Sequence, residues 1–440
     1  MARQSALRFG AKTDEMISLL RIVNLVRLGE ATTRSQIGQV TGLGRGVVTQ
    51  RVDQAMDLGY LEDGDLANPT GGRAPRTLRF RGDQGLIIVC ALGALHIHVG
   101  TFTLTGDVLD DAHCDWDIVR GPAETLETAM SMIDKLLAKA GDTPVWGVGI
   151  GVPGPVNFAT GSPVAPPMMP GWNGFDVRRP LEQHYDAPAW VDNDVNLLTL
   201  TERARRRDEH PDLIYIKVGS GIGAGLLSQG RIHRGAKGAA GDIGHERVPD
   251  ADQVCRCGKV GCLEAVAGGW ALVRDAGAAI AAGATGYLVQ RTSAGETMTP
   301  ELISLAAEEG DALAVSLVRK SALVVGQAIA SLVNMFNPSV IVIGGAIAAG
   351  AGEIFLAEVR QRVYARSNPL ATIDLSIVRS VGDIREPLRG GAEIVREQLF
   401  DATFARWFGL GRPTVDAVRP LRPQAPPRAG PTGTFEPRVN

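Results

Sequence analysis

Three of the five cysteines in this chain lie within eight consecutive positions, at Cys255, Cys257 and Cys262. Nine residues separate the first of them from His245, and two glycines inside the cysteine loop allow it to fold back on itself. Three thiolates and one imidazole make a Cys₃His set, which predicts a tetrahedral zinc site. Because the protein supplies all four ligands, we expect the zinc to be structural rather than catalytic.

A redox-active or incidental cysteine loop is the alternative interpretation. Closely spaced cysteines do not readily form a disulfide in the cytosol, whereas thiolates can share a soft divalent cation. The remaining cysteines, Cys90 and Cys114, lie elsewhere in the sequence and are interpreted as ordinary core or surface residues. We therefore prefer the zinc interpretation.

A chain of 440 residues is too long to fold around one ordinary hydrophobic core, so we expect two or three domains. The formal net charge is −3, so any DNA contact must come from a local basic region. No apolar run reaches the roughly 18 residues that a bilayer requires, and no apolar stretch follows Met1 as in a secretory signal. These features predict a cytoplasmic protein that does not contact membranes.

The first eighty residues predict a helix-turn-helix. Apolar residues recur at helical spacing from Thr13 to Leu28, Thr33 can cap a second helix through Val40, and a third helix is expected from Gly44 to Leu58. The second helix of such a unit presents its first residues to base edges in the major groove. The candidates for DNA contact on its exposed face are Arg45, Thr49 and Gln50, with Arg45 and Gln50 assigned to base readout.

A Gly-Gly turn at residues 71–72, between two strand segments, carries Arg73 and Arg76. A turn of this kind is typical of a wing that follows the phosphate backbone or enters the minor groove. We therefore predict a winged helix-turn-helix over residues 13–82, preceded by a flexible arm at 1–12. A generic helical protein-interaction module is the alternative, and the arginine-bearing turn favours DNA.

From Gly85 onward, buried apolar runs alternate with helices and glycine-rich turns over about 300 residues. This alternation predicts an α/β domain over 83–400, with two lobes and a cleft between them. The main predicted strands are Leu86–Leu92, Ile97–Leu104, Val145–Gly149, Ala189–Val191, Leu213–Val218, Ala224–Leu227 and Val340–Ile343. The main predicted helices are Ala123–Ala140, Asn196–Arg207, Leu263–Ala282 and Ala312–Phe336. Residues 411–440 are rich in Pro, Gly and Arg, and are predicted to be disordered.

In this order, these features resemble the ROK family (repressor, open reading frame, kinase) from about residue 15 to residue 400. The Cys-x-Cys-x₄-Cys loop after Gly-Asp-Ile-Gly-His matches the family's zinc signature. Residues 151–156 (Gly-Val-Pro-Gly-Pro-Val) with Gly171-Trp172-Asn173, and residues 191–196 (Val-Asp-Asn-Asp-Val-Asn), are similar to its sugar-side loop and substrate motif. The upstream winged helix resembles the repressor branch. The resemblance implies a two-lobed sugar-kinase fold of the actin-like, ribonuclease H-like class.

The resemblance also implies which residues contact a sugar in the cleft. Asn193 and Asp194 would hydrogen-bond two hydroxyls, and in the family's kinases the residue matching Asp194 is the general base. Asp242, His245 and Glu264 would contact hydroxyls near the other end of the ring. Asp242 replaces the glutamate usual in the family, and its shorter side chain has less reach. A polar turn after a strand is the alternative interpretation of Asn193 and Asp194.

The kinases of the family carry Asp-x-Gly-Gly-Thr after their first strand, where this chain has Ala-Leu-Gly-Ala-Leu at 91–95. Phosphoryl transfer requires a phosphate cradle and charge neutralisation, so we predict that the chain is not an enzyme. Glycine-rich segments remain at 219–223 and 344–345, but tight turns also require glycine.

The sequence therefore predicts a transcriptional regulator, most simply a repressor, that binds a double-stranded DNA operator. A sugar or sugar phosphate would be its effector, and a homodimer or a dimer of dimers is expected because one recognition helix contacts too few base pairs for specificity. Two alternatives stay open: a sugar kinase with an appended DNA-binding domain, and a regulator controlled by a protein that docks on the zinc loop.

Overall fold

The computed structural model describes residues 2–66, 76–206 and 209–418, without the side chains of 2–13 and 404–406. The described chain forms a small N-terminal helical domain followed by two α/β lobes, each built on a five-stranded sheet. This arrangement confirms the predicted fold class.

The N-terminal domain contains three helices and an antiparallel strand pair. Its elements are α1 (Ala2–Arg27), α2 (Arg34–Thr41), α3 (Arg45–Asp57), β1 (Leu61–Leu66) and β2 (Arg76–Phe80). Thr33 caps α2 in a capping box with Gln36, and Gly42 ends α2 with φ 72°. The predicted helix-turn-helix is therefore present. Because α1 begins at Ala2, the segment 1–12, predicted as a flexible arm, is helical from that residue; its sequence contains one glycine and no proline.

The first lobe surrounds a sheet with strand order β5-β4-β3-β6-β9. The strands are β3 (Leu86–Leu92), β4 (His96–Thr103), β5 (Val108–Asp115), β6 (Val145–Val152) and β9 (Ala189–Asn193), with a small hairpin of β7 (Val156–Asn157) and β8 (Ser162–Pro163). The helices are α4 (Pro122–Ala140), α5 (Arg178–Tyr185) and α6 (Asp194–Arg205). Since β3, β6 and β9 are parallel, their carboxyl ends meet at one edge of the sheet.

The second lobe surrounds a sheet with strand order β12-β11-β10-β13-β14. The strands are β10 (Leu213–Val218), β11 (Ile222–Ser228), β12 (Arg231–Ile232), β13 (Val340–Gly344) and β14 (Ser376–Arg379). The helices are α7 (Leu263–Ala267), α8 (Gly269–Ala281), α9 (Tyr287–Ser293), α10 (Pro300–Glu308), α11 (Ala312–Phe336), α12 (Ala346–Gly350), α13 (Gly352–Arg366) and α14 (Pro369–Thr372). From this lobe the chain returns to the first lobe through α15 (Glu386–Leu399), which packs on α6, β3 and β6.

One predicted element of the second lobe and one expectation about apolar runs need correction. The predicted helix Leu263–Ala282 is two helices, because the backbone is extended at Gly268 and a Cβ atom on Gly269 would lie 2.5 Å from the carbonyl oxygen of Gly219. Contrary to the expectation that no apolar run is long enough, α11 has the length and composition of a membrane span. Core helices of globular proteins share those properties, and α11 packs on α7, α8, α10 and α13 within the second lobe.

An aromatic cluster joins the N-terminal domain to the first lobe. The Tyr60 hydroxyl donates to the carbonyl of Phe408 (2.7 Å), and the Tyr60 ring meets Trp146 edge-on at 6.0 Å. Trp407 packs against both of these rings, and Phe400 against Trp407 and Phe408. We call these five residues the aromatic joint. Their buried rings couple the first eighty residues to the C-terminal segment.

The chain beyond the joint is ordered further than its composition predicts. The 3₁₀ helix Ala402–Leu410 packs on α1, and α16 (Val415–Val418) follows it. Val418 is fully buried. The prediction of disorder is therefore wrong for residues 411–418, because apolar side chains anchor this segment, and residues 419–440 lie outside the described part of the chain.

Candidate functional site

A cavity of about 180 Å³ opens between the lobes, at the carboxyl ends of β6 and β9 and beside the turn that joins β10 to β11. All five residues predicted to contact a sugar line this cavity: Asn193, Asp194, Asp242, His245 and Glu264. Residues up to 71 positions apart in the sequence therefore converge on one space, as the resemblance implied.

Asn193 holds the start of α6 and the loop after β6. Its Oδ1 atom accepts from the N–H of Val195 (2.9 Å), and its Nδ2 atom donates to the carbonyl of Gly154 (2.7 Å). A side-chain amide has two N–H donors and two lone pairs, so one of each remains for a ligand. The polar-turn interpretation and the ligand interpretation are thus compatible at this residue.

Asp194 forms an ion pair that the sequence did not reveal. The ammonium of Lys217, on β10, lies 2.5 Å from its Oδ2 atom. The side chain of Asp194 is 14% exposed and that of Lys217 is 34% exposed. Within the described residues, no protein group donates a hydrogen bond to Oδ1 of Asp194, so the pair presents one free acceptor and further ammonium N–H donors to the cavity.

A buried carboxylate behind the cavity fixes the segment 191–196, which carries Asn193 and Asp194. Asp192 is 2% exposed; its Oδ1 atom accepts from the N–H of Asn193 (2.8 Å) and the amide of Asn196 (2.7 Å). The guanidinium of Arg234 reaches its Oδ2 atom from the second lobe (2.8 Å) and lies over the ring of Phe158 at 4.0 Å. Because charge-assisted hydrogen bonds are strong, this arrangement ties the motif to both lobes.

Glu264 is held in the opposite wall. Its Oε2 atom accepts from the N–H of Ile222 and its Oε1 atom from the indole of Trp270, both at 3.2 Å. Arg256, from the cysteine loop, lies over the ring of Trp270 at 4.7 Å and also lines the cavity. Asp242 is exposed at the rim. The wall therefore combines carboxylates, an aromatic face and a guanidinium, which suit a ligand rich in hydroxyl groups.

The four predicted metal ligands lie together. The donor atoms of His245, Cys255, Cys257 and Cys262 all lie within 4.8 Å of one another. The Sγ atoms of Cys257 and Cys262 are 3.7 Å apart, as are the Sγ atom of Cys255 and Nδ1 of His245. In a tetrahedral site with Zn–S bonds of about 2.3 Å, neighbouring donors are separated by roughly 3.7 Å. The donor set therefore fits a tetrahedral metal ion.

The orientation of the His245 ring separates its two predicted roles. Its Nδ1 atom faces the cysteine sulfurs, which leaves Nε2 for the cavity that His245 also lines. Burial raises the pKa of the Cys262 thiol to about 12, so a bound metal would have to displace its proton. The cluster thus forms part of the cavity wall.

The turn after β3, at the position of the kinase phosphate loop, is filled by a side chain. A Cβ atom on Gly93 would lie 2.2 Å from the ring of His96, so the imidazole lies directly against the turn. Burial lowers the pKa of His96, and the charge of Lys217 acts in the same direction. The ring of His96 is therefore close enough to Lys217 and Asp194 for both charges to act on its pKa, whereas of these three residues only Lys217 and Asp194 line the cavity.

The predicted DNA-contacting residues on α3 share one exposed face: Arg45, Thr49 and Gln50. Val48, Val52 and Ala55 form its buried face. Arg76 begins β2, is 65% exposed and lies 3.8 Å from Asp63. Arg73 lies outside the described residues.

The architecture and the cavity define a two-lobed sugar-kinase-like protein with an N-terminal helix-turn-helix domain. The sequence profile described as "ROK family" matches residues 88–398, and the chain belongs to this family. The xylose repressor of Caldicellulosiruptor bescii is 30% identical over 80% of this chain and 88% of its own length. A glucokinase of Halalkalibacterium halodurans is 31% identical over 63% of this chain and 85% of its own. The solved structure of a ROK transcriptional regulator, a homologue of the Escherichia coli MLC protein, superposes with a TM-score of 0.76 at 25% identity, covering 89% of this chain and 98% of that one.

Proposed function

We propose that this protein is a DNA-binding transcriptional repressor whose affinity for its operator depends on a sugar or sugar phosphate in the cleft. The observation that carries the proposal is that one chain combines an exposed recognition helix, α3, with a cavity lined by five polar side chains of the kind that bind sugar hydroxyls. The relatives that match most of the chain support it, since they are named as a xylose repressor and a transcriptional regulator. Such a protein works in the cytoplasm, and two-fold pairing of the chain would double its DNA readout.

A continuous path of packed elements supports communication between the two halves. α6 begins at Asp194, and a Cβ atom on Gly390 would lie 1.9 Å from the carbonyl oxygen of Leu197, so α6 and α15 touch through their backbones. α15 then leads to Phe400 and the rest of the aromatic joint. A ligand that favours one lobe arrangement would therefore bias the orientation of the DNA-binding domain, typically by about 1–3 kcal/mol of coupling.

Sugar-kinase activity is the second candidate function, favoured by the glucokinase relative and by Asp194 at the position of the catalytic base. Against it stand the imidazole of His96 over the turn at Gly93 and the ammonium of Lys217 on the carboxylate of Asp194. An ammonium occupies one oxygen of the carboxylate that would act as base, and residues 91–95, around the turn after β3, read Ala-Leu-Gly-Ala-Leu, without the residues of the phosphate loop that phosphoryl transfer requires. We therefore propose that the chain does not phosphorylate sugars.

We propose that the metal in the cysteine cluster is zinc. Cys255, Cys257, Cys262 and His245 would hold it, and four protein ligands leave no open position for chemistry. The zinc would brace the loop that carries Arg256 into the cavity and would orient His245.

The repressor proposal is tested by selecting an operator from a random double-stranded DNA library with the full chain. Arg45→Ala should weaken operator binding by about 1–3 kcal/mol and relax base preference, because Arg45 is an exposed residue at the start of α3. Arg319 is an exposed arginine on α11, and Arg319→Ala is the matched control. Equal operator affinity for both variants, or sugar-dependent ATP consumption by the wild type, would contradict the proposal.

A further inference from the structure

Lys217 is unusual in the strand that carries it. β10 reads Leu-Ile-Tyr-Ile-Lys-Val, and every residue of it except Lys217 is buried. Placing an ammonium there costs desolvation free energy, and apolar residues often replace half-buried ion pairs without loss of stability. A sheet strand of this kind therefore gains no evident structural advantage from lysine.

The surroundings of Lys217 leave two of its N–H donors available to a ligand. One N–H group donates to Asp194, and an ammonium has three. A Cβ atom on Gly219 would lie 3.7 Å from Cε of Lys217, which places the side chain beside the turn where the exposed Ser220 lines the cavity. Burial lowers the pKa of His96, on the other lobe, and the charge of Lys217 lowers it further.

The carboxylates facing this region are already engaged. Asp194 offers only its Oδ1 atom, and Glu264 accepts from Ile222 and Trp270. The free acceptor of Asp194 next to the free donors of Lys217 matches a ligand with a hydroxyl on one carbon and an anionic group on a neighbouring arm. Sugar 6-phosphates and uronic acids have that pattern.

We propose that Lys217 is a specificity-determining residue, which pairs with a carboxylate or phosphate on the bound carbohydrate and makes the effector an anionic sugar. This inference rests on the proposed function of the cleft. The neutral hydroxyls of the same sugar then face Asn193 and the wall formed by Glu264 and Trp270. The ion pair with Asp194 holds the ammonium in place before the ligand arrives, so less side-chain entropy is lost on binding.

The test is calorimetric titration of the full chain with matched sugars that differ only in the group at C6: glucose, glucose 6-phosphate and glucuronate, and the corresponding galactose series. Inorganic phosphate serves as the probe for the anion alone. We expect one anionic sugar to bind at least tenfold more tightly than its neutral parent, with an affinity that falls as salt concentration rises. Comparison of the 6-phosphate with the uronic acid identifies which anion Lys217 accepts.

Lys217→Met should abolish the difference in affinity between the anionic sugar and its neutral parent, and Lys217→Arg should retain much of that difference. Lys320→Met, on the outer face of α11, is the control and should leave the difference unchanged. Thermal unfolding of each variant checks that the fold is intact. Tighter binding of the neutral parent, equal binding of inorganic phosphate and sugar phosphate, or an unchanged preference in Lys217→Met would overturn the inference alone. Failure of every sugar to bind would overturn the proposed function as well.

Discussion

The cleft and the aromatic joint lie at the two ends of the same strand, and different forces hold them together. Trp146, near the start of β6, belongs to the joint, while Pro153 follows the end of β6 and lines the cavity. The joint buries aromatic rings and satisfies the Tyr60 hydroxyl with one carbonyl. The cleft leaves donors and acceptors of Asn193, Asp194 and Lys217 without protein partners among the described residues.

This difference teaches where stability and response reside. Buried aromatic area stabilises the folded chain in proportion to the surface removed from water. Polar groups kept partly free in a cleft contribute little to folding but allow a ligand to be recognised. Substitutions in the joint and around the cleft should therefore have separable effects on folding stability and on sugar binding measured without DNA, and the following variants test that separation.

Removal of the metal should have the largest effect, and it should fall on the cleft. Cys257→Ser removes one of four ligands, and structural zinc contributes free energy on the order of 10 kcal/mol to the folding of small zinc domains. We expect about one zinc per chain in the wild type, little in the variant, and loss of sugar binding because the loop carrying Arg256 is released. Cys114→Ser, outside the cluster, should keep its zinc. Elemental analysis measures the zinc content and calorimetry measures the sugar binding. Full zinc content in Cys257→Ser would refute the proposed zinc site.

Truncation of the joint should come next. Trp407 is fully buried, and its indole donates to the carbonyl of Leu399 (3.1 Å). Trp407→Ala should lower the free energy of unfolding by about 3–5 kcal/mol and weaken DNA binding. Sugar affinity of the folded fraction should be retained, whereas Tyr364→Ala, on an exposed face of α13, should affect neither. A variant with normal DNA binding would mean that the joint does not position the DNA-binding domain.

Asp194→Asn should abolish the response of DNA binding to sugar at little cost to folding. The amide has the same shape and can still accept from Lys217, and half-buried ion pairs of this kind contribute only about 1 kcal/mol. Operator titrations with and without sugar measure the response, with Asp374→Asn on the surface as the control. A full response in Asp194→Asn would place the effector elsewhere and favour control by a protein partner.

Tyr60→Phe should have the smallest effect. The substitution removes only the hydrogen bond to Phe408 and keeps the ring, so we expect a loss of about 1 kcal/mol in stability. Urea unfolding measures the stability, and zinc content and sugar affinity should equal those of the wild type. A change in sugar affinity would show that the joint and the cleft are not separable.

Local signals explain what the sequence predicted. The capping box at Thr33, the continuous apolar run Leu86–Leu92 and the cysteine spacing each depend on residues close in the chain. By contrast, β5 was missed because it alternates exposed and half-buried residues, and α15 because Gly390 and Gly391 interrupt its helical pattern.

Long-range packing accounts for what the sequence could not predict. The ion pair of Asp194 with Lys217 and the bond of Arg234 to Asp192 each join separate elements, and no periodicity signals them. A lysine inside an apolar strand was the one available clue to a polar partner. The ordered segment 411–418 is a similar case, since its composition favours disorder while its few apolar residues pack into a hydrophobic core.

The hydrogen bond between Tyr60 and Phe408 joins residues 348 positions apart. Regulators are often regarded as cassettes, in which one DNA-reading module can be exchanged for another by a single crossover. In this chain such a crossover near residue 82 would supply a new module without the C-terminal segment shaped to receive it. Inheritance of a working hybrid would require both segments to be exchanged together. Because the rings of Tyr60 and Phe408 pack with their centroids 4.9 Å apart, these two side chains should have diversified as a linked pair.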